Sequence, residues 1–429
     1  MWKFIKILLA GIVFSMFYFP FEFTFLPGYN TKKILAAVGC AIVLYQCVTT
    51  RRIRLPNNIL LTIVFSALVS IVGVISNVYN NTPDYVYATY IVSMLVWLSA
   101  AYTVSIIIRQ VHRYINVKLV VDYLVAVCVF QCVIAQLIDS IPSLKLFVDT
   151  YIEQGQVFLN EVNRIYGIGA NLDVAGSRFT VAVILIVCML TIPQTLDTIS
   201  EFIYIVSFLL IVVLGSIIAR TTYVGVIVSL IYILISGRLV SIKISSQNIK
   251  ILTILLFTLA ITIPLLINLY NSGGQFQKML RFAFEGFFNL AENGEWFVAS
   301  NERLKTMYVF PDNITTWIIG DGYFNNPVNV DPFYVGEITG GYYKGTDVGY
   351  LRFIFYFGII GLITFMTFFI KVTQYCIESL PYYKRIFVLL LMANFVIWFK
   401  VSTDIFLIFA LFLCVGNMQD DPQQLETES

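Results

Sequence analysis

The chain has 429 residues, of which 59% are hydrophobic and 12% charged, with a formal net charge of +2. That balance lies outside the range of soluble globular domains and places the chain among polytopic membrane proteins, with no basic run to recommend a nucleic acid as partner. A single histidine, His112 in a basic connector, argues against His-based catalysis or a His-ligated metal elsewhere, and the seven cysteines sit in or beside apolar tracts as small core residues.

Apolar runs of roughly 17–25 residues mark helices that cross a bilayer. In chain order they predict an all-α membrane protein with about twelve transmembrane helices: 4–25, 34–49, 58–76, 85–108, 118–138, 178–194, 201–218, 220–236, 250–270, 348–371, 384–400 and 403–416. The last two are short enough to form a re-entrant pair. Lys3 and Lys6 precede the first run without a small-residue cleavage site, so it reads as a retained span. With the N-terminus in the cytoplasm, four groups of cations fall on one side: Arg51, Arg52 and Arg54; Arg109, Arg113 and Lys118; Arg238, Lys243 and Lys250; Lys371, Lys384 and Arg385. Lys32 and Lys33 are the main exceptions.

The expected organisation is a membrane segment over 1–270, a large outer loop over 271–346, a second membrane segment over 347–416 and a cytoplasmic tail over 417–429. A further outer loop spans 139–177 within the first segment. Connections beyond ~12–15 residues are commonly functional or partly structured. The larger one is rich in aromatic residues, so it should fold. Its first half, 275–303, has helical character, with Phe282, Phe284, Phe287 and Phe288 suited to lying along the interface; its second half, 311–346, is rich in Gly, Pro and Asn. The aromatics fit an amphipathic flap on the membrane, or a surface that stacks on sugar rings. No internal repeat is evident, which disfavours a transporter built from duplicated halves.

The residues able to carry chemistry gather on the outer face. Arg220 interrupts one of the longest apolar tracts; a guanidinium at membrane depth costs at least ~2.5–3.5 kcal/mol, so it faces a polar partner or marks a hairpin tip at the interface. Arg is also the preferred bidentate partner of phosphate. Arg164, Arg178 (expected to open a span), Arg303 and Arg352 lie near the same depth, and each alone would serve as a snorkelling anchor. Asp347 stands at the entrance of the tenth span, placed to act as a general base or to cap the helix beginning near Val348. Asp321, in Gly320-Asp321-Gly322, reads as a turn former. No Asp-x-Asp pair occurs in the outer loops and no phosphate-binding loop occurs anywhere, which disfavours a nucleotide-sugar donor and a dedicated divalent-metal site; no cofactor is called for. Asn80 and Asn313 match glycosylation sequons, a pattern too short to carry weight.

Three local patterns resemble the bacterial O-antigen and exopolysaccharide polymerases and the related O-antigen ligases: 215–225 around Arg220, Glu302-Arg303-Leu304 followed by Trp317-Ile318-Ile319-Gly320-Asp321-Gly322, and Thr346-Asp347-Val348-Gly349-Tyr350-Leu351-Arg352 followed by 357–361. Arg164 with its Gly-rich continuation is similar to an earlier outer-loop arginine of that family. The likeness in layout covers nearly the whole chain. It implies a GT-C-like glycosyltransferase acting on undecaprenyl-pyrophosphate-linked oligosaccharides at the outer face of the inner membrane. Arg220 and Arg303 would then hold the pyrophosphate, with Arg164 and Arg178 in support. Asp347 would orient or deprotonate the acceptor hydroxyl, and Tyr223, Tyr350 and Arg352 would line the cavity. Ligases are expected to carry a histidine where this chain has Asp347, which favours a polymerase over a ligase. A lipid-linked oligosaccharide transporter and an accessory subunit of an envelope assembly machine remain as alternatives. A chain-length regulator or a flippase, if partners, would meet the protein in the membrane or periplasm.

Overall fold

The computed structural model describes residues 2–50, 56–161, 164–192, 197–236 and 273–418, together with 260, 264, 267, 268, 270 and 271. The expected span over 250–270 therefore lies almost wholly outside the described residues, as do Arg51, Arg52, Arg54, Arg238, Lys243, Lys250 and most of the expected tail. Within them the protein is an all-α membrane protein. Its one sheet there is a two-residue antiparallel pairing of Glu22–Phe23 (β1) with Ile152–Glu153 (β2).

Five helices come first: α1 (Trp2–Tyr18), α2 (Thr31–Thr50), α3 (Asn57–Asn80), α4 (Tyr90–His112) and α5 (Val117–Ser140). Two short helices, α6 (Pro142–Tyr151) and α7 (Gln156–Glu161), lie between α5 and the membrane helices α8 (Leu172–Thr191), α9 (Thr198–Ile218) and α10 (Thr222–Ser236). The large loop contains α11 (Gly274–Ala283), α12 (Glu285–Asn293), α13 (Ala299–Thr306), α14 (Ile314–Ile318) and α15 (Pro327–Val330). The chain then re-enters the bundle as α16 (Gly349–Ser379), α17 (Lys384–Ile397) and α18 (Phe406–Met418). Among the described residues seven helices, α2, α3, α4, α5, α8, α9 and α16, are long and apolar enough to cross a membrane. At 17, 15, 14 and 13 residues, α1, α10, α17 and α18 are shorter. A helix of α18's length reaches only about 20 Å against a hydrocarbon core of about 30 Å.

Two helices are enclosed by the others. From Ala175 to Leu190 α8 is buried on every side, packed by α5, α9, α10 and α17. From Phe406 to Val415 α18 is buried just as completely, against α4 and α16. Small residues let these backbones approach, as in other membrane bundles. A Cβ on Gly225 of α10 would meet the Thr180 backbone of α8 at 2.7 Å. Gly176 corrects the expected start of this helix. It reads as loop punctuation, yet it is helical, and a Cβ there would strike Thr221 and Ala219 within 2.9 Å. The helix therefore begins at Leu172 instead of 178, and Arg178 sits in its second turn instead of opening it.

Two interruptions shape the large-loop end of the bundle. In α16 the helical path breaks at Phe357 and Gly358, the latter at φ 67°. The freed carbonyls of Phe355 and Tyr356 accept the backbone N–H groups of Asp321 (2.6 Å) and Gly322 (3.0 Å), so the Gly-Asp-Gly turn of the large loop plugs into the break. The second interruption lies between α17 and α18, where residues 398–405 leave the helical path before α18 begins. Such backbone is tolerated at membrane depth only where protein or a polar cavity surrounds it.

Candidate functional site

The tip between α9 and α10 is a three-residue corner, Ala219-Arg220-Thr221, closed by the Thr222 hydroxyl donating to the Ala219 carbonyl at 2.8 Å. The Arg220 guanidinium is ion-paired with Glu285 at the start of α12 and lies 4.2 Å from the centre of the Phe282 ring. Arg164 lies 4.1 Å from the same ring, so one aromatic side chain of the large loop touches both cations. Tyr223 adds a third tie, its hydroxyl donating to the Ala283 carbonyl at 3.1 Å. The arginine that breaks the apolar tract is thus a partner of the loop, and its side chain is only 14% exposed.

Arg164 is delivered by the Gly-rich turn that follows it. Gln131 of α5 grips Ile168 like a strand edge, accepting its N–H at 2.9 Å and donating to its carbonyl at 3.0 Å. Gly167 and Gly169 make that grip possible, since a Cβ on either would strike Gln131 or the Phe19 carbonyl at 2.4 Å. Burial, and then the neighbouring charge of Arg220, pull the Arg164 pKa downwards, while Asp173 opposes the shift.

Residues 398–405 supply what the sequence reading missed. Lys400 forms an ion pair with Asp173 at 2.7 Å and donates to the Thr221 hydroxyl at 2.9 Å; Thr221 in turn donates to Asp173. This knot lies next to Arg220 in the chain and within electrostatic range of Arg164. Ser402 accepts from Arg352 at 2.6 Å, while a second Arg352 nitrogen donates to the Phe324 carbonyl at 3.1 Å. Arg352 is also stacked on the rings of Phe324 and Tyr342, at 3.7 and 3.3 Å. It braces the plugged loop against the 398–405 break. Asp404 faces the other way, within electrostatic range of Lys32 and Arg178.

Asp347 sits between these groups. It does not cap the helix: Val348 occupies that position without a side-chain bond, and Thr346 accepts the Val348 N–H at 3.2 Å. Among the described residues the half-buried Asp347 carboxylate accepts no hydrogen bond. Burial raises its pKa; Arg352, Arg303 and Lys400 pull it back, and Asp173 pushes it further up. A carboxylate with free lone pairs and a raised pKa is what general-base chemistry asks for.

The geometry therefore groups Arg164, Arg220 and Tyr223 around Phe282 and Glu285, places Arg352 and the exposed Arg303 within electrostatic range of Asp347, and links the two groups through Asp173 and Lys400. Two expected residues lie apart. Arg178 is 6% exposed, its Nη1 has no hydrogen-bond partner among the described residues, and it lies within electrostatic range of Lys32 and Asp404. Tyr350 donates to the Phe395 carbonyl at 3.0 Å and packs on Trp398 and Phe399, tying α16 to α17. Below the Lys400–Thr221 contact runs a wholly apolar groove of about 300 Å³, lined by Val224, Ile227, Val228 and Ile231 of α10 and by Leu389 and Met392 of α17, among others. Compared with protein families, curated proteins and solved structures, the chain matches none.

Proposed function

We propose that this protein is a GT-C-like polysaccharide polymerase of the bacterial inner membrane, with about twelve spans and both termini in the cytoplasm. It would join undecaprenyl-pyrophosphate-linked repeat units into O-antigen, capsular or exopolysaccharide on the periplasmic face. The observation that supports this reading is a chain of charges near an apolar groove: Arg352, Arg303 and Lys400 lie within electrostatic range of the unbonded Asp347 carboxylate, and Asp173, paired with Lys400, links them to Arg164, which shares the Phe282 ring with Arg220. Cations suit a pyrophosphate, the groove suits the first part of a lipid chain, and the carboxylate suits a sugar hydroxyl.

In this mechanism Asp347 takes the proton of the acceptor hydroxyl as its oxygen bonds to the anomeric carbon. The bond from that carbon to the pyrophosphate oxygen breaks, and the electron pair leaves with the lipid pyrophosphate. Arg220, once released by Glu285, and Arg303 stabilise the growing negative charge, with Arg164 in support. Preorganised donors of this kind are worth roughly 10²–10³ in rate each. A chain-length regulator or flippase would meet the protein from the membrane or periplasm.

The test is purified protein in detergent with a lipid-pyrophosphate-linked oligosaccharide, products resolved as a ladder, with and without a chelator. The expected result is a ladder that persists in chelator and is lost in Arg220→Ala and Asp347→Ala. A folded, substrate-supplied protein that makes no ladder but transfers glycan to a different acceptor would point to a ligase instead.

A further inference from the structure

The charged group around Arg178 takes no part in the chemistry proposed above, and its charges do not balance. Arg178 lies in the second turn of α8, five residues and a rise of about 7.5 Å along the helix from Asp173. Lys32, in the first turn of α2, and Asp404, just ahead of α18, complete the group. Each of the three lies within electrostatic range of the other two, yet no ion pair joins them among the described residues.

Neither cation donates a hydrogen bond among the described residues. Arg178 is almost fully buried, and its own carbonyl is taken by the Tyr18 hydroxyl at 2.9 Å. The Phe19 ring stands 5.4 Å from the Arg178 guanidinium, and Lys32 lies 4.1 Å from the centre of the Trp97 ring. Ring faces offset only part of the cost of burying a charge. A buried lysine can shed its proton, whereas an arginine cannot, so Arg178 keeps its charge wherever it is placed. Asp404 is a poor counter-ion for two cations because it is already engaged. It accepts the Phe406 N–H at 2.9 Å and meets the positive end of the α18 dipole. The Tyr90 hydroxyl, buried and likewise without a hydrogen-bond partner, lies within electrostatic range of the same carboxylate. Two cations, a helix N-terminus and an orphaned hydroxyl thus face one carboxylate, and the deficit is a single negative charge.

We propose that this group binds one compact monovalent anion, a chloride ion in the cell, between Arg178 and Lys32. One negative charge completes the balance, and a halide accepts from guanidinium and ammonium donors without bringing a donor of its own. A doubly charged oxyanion would overshoot the balance. The ion ties α2 and α8 to the start of α18, and so steadies the 398–405 break that carries Lys400 and Ser402.

The test is equilibrium dialysis of the full chain in detergent against radioactive chloride at constant ionic strength, with gluconate, too bulky for the site, as the replacing anion. Chloride should bind saturably at one ion per chain. The thermal midpoint should rise by several degrees over the same concentrations, as it does when a ligand binds only the folded state. Arg178→Met should lose both effects, while Asp404→Asn, which removes the competing negative charge, should tighten chloride binding several-fold. No saturable binding to the wild type, or equal binding to Arg178→Met, would overturn the proposal. A midpoint rise of the same size in Arg178→Met would also overturn it, as a general salt effect. Unchanged or weaker binding to Asp404→Asn counts against it equally. If Arg178→Met does not fold, Lys32→Gln decides: chloride affinity lowered roughly tenfold supports the site, and an unchanged affinity defeats it.

Discussion

The two halves of the large loop are attached to the membrane helices by different physics. The second half is built into the bundle. Backbone groups of 320–325 bond to α16, to Asn80 and Thr82, and to Asp84, which accepts the N–H groups of Phe324 (2.9 Å) and Asn325 (2.8 Å). Tyr323, Tyr343, Val348, Leu351 and Phe355 form a small core of their own around it. The first half is attached through side chains. Leu280 and Ala283 of α11 pack into the main core, and beyond that α11 and α12 are tied by the Arg220–Glu285 ion pair, the Tyr223 hydroxyl and the Phe282 ring between two arginines. Gly273 caps α11, Gly274 opens it and Gly294 follows α12, all at positive φ and with open space where a Cβ would go. Backbone pairing into a broken helix makes a fixed plug, while attachment through side chains leaves the first half the more easily separated of the two. Arg164 and Arg220 lie against the first half, and the plug positions Arg352, which is within electrostatic range of Asp347.

Glycine substitutions separate the two halves most sharply. Gly358 is at φ 67°, and a Cβ there would lie 2.1 Å from the Ile318 carbonyl oxygen of the plug. Gly358→Ala should therefore cost more than about 3 kcal/mol, read as a collapse of the thermal midpoint or of monodisperse yield in detergent. Gly274→Ala, also at positive φ but meeting nothing within 4 Å, should cost only about 1–2 kcal/mol, the penalty of the left-handed backbone. Comparable losses in both would mean that the flap is as firmly built in as the plug. Next in size is Asp84→Ala, which strands two partly buried N–H groups and should cost about 2–3 kcal/mol, with protease sites between 311 and 346 opening first. Asp84→Asn, which keeps an acceptor, should recover part of that.

The membrane helices were legible because hydropathy is a property of single segments, whereas the plug depends on who meets whom. Gly320-Asp321-Gly322 reads correctly as a turn, with Asp321 accepting from Tyr343 at 3.0 Å. That the turn would enter a break in α16 needs the break, for which Phe357-Gly358 in an apolar run is a weak cue. The site was half legible. An arginine inside an apolar tract announces itself by its cost, and so Arg220 was found. Asp173 was hidden in an expected loop, and Glu285 resembled any charge on an amphipathic helix. Lys400 fell at the end of an expected span, where a snorkelling lysine is ordinary. A usable signal was nevertheless present: Lys400-Val401-Ser402-Thr403-Asp404 is a polar run between two helices too short to span alone, the mark of a discontinuous helix around a site.

Glu285→Gln tests whether the flap is held by charge. The amide keeps the shape and an acceptor for the Ala299 N–H, which Glu285 takes at 3.2 Å, but loses the ion pair with Arg220. A partly buried pair of this kind contributes about 1 kcal/mol, so hydrogen exchange in 274–293 should quicken roughly fivefold. Exchange in 311–346 should not change. If Arg220 must leave Glu285 to take a pyrophosphate, the variant should also show a KM for lipid-linked substrate lowered by a similar factor. Faster exchange throughout both halves would mean that they open as one unit.

The smallest effect on stability should come from Asp347, and its sign is informative. Burial favours the neutral acid there, so the folded protein holds this proton to higher pH than the unfolded chain does. The folded state then binds more protons in the window between the unfolded and the raised folded pKa, and stability falls as pH rises through it. Above that window the ionised carboxylate is a standing cost, only partly relieved by Arg352, Arg303 and Lys400. Asp347→Asn should therefore raise the thermal midpoint slightly at neutral pH, with the gain vanishing in acid, while glycan transfer is lost. A carboxylate kept for structure would behave oppositely, its amide lowering the midpoint at neutral pH. A stability kept low by an unbonded carboxylate beside three cations is the trade expected of a reacting group.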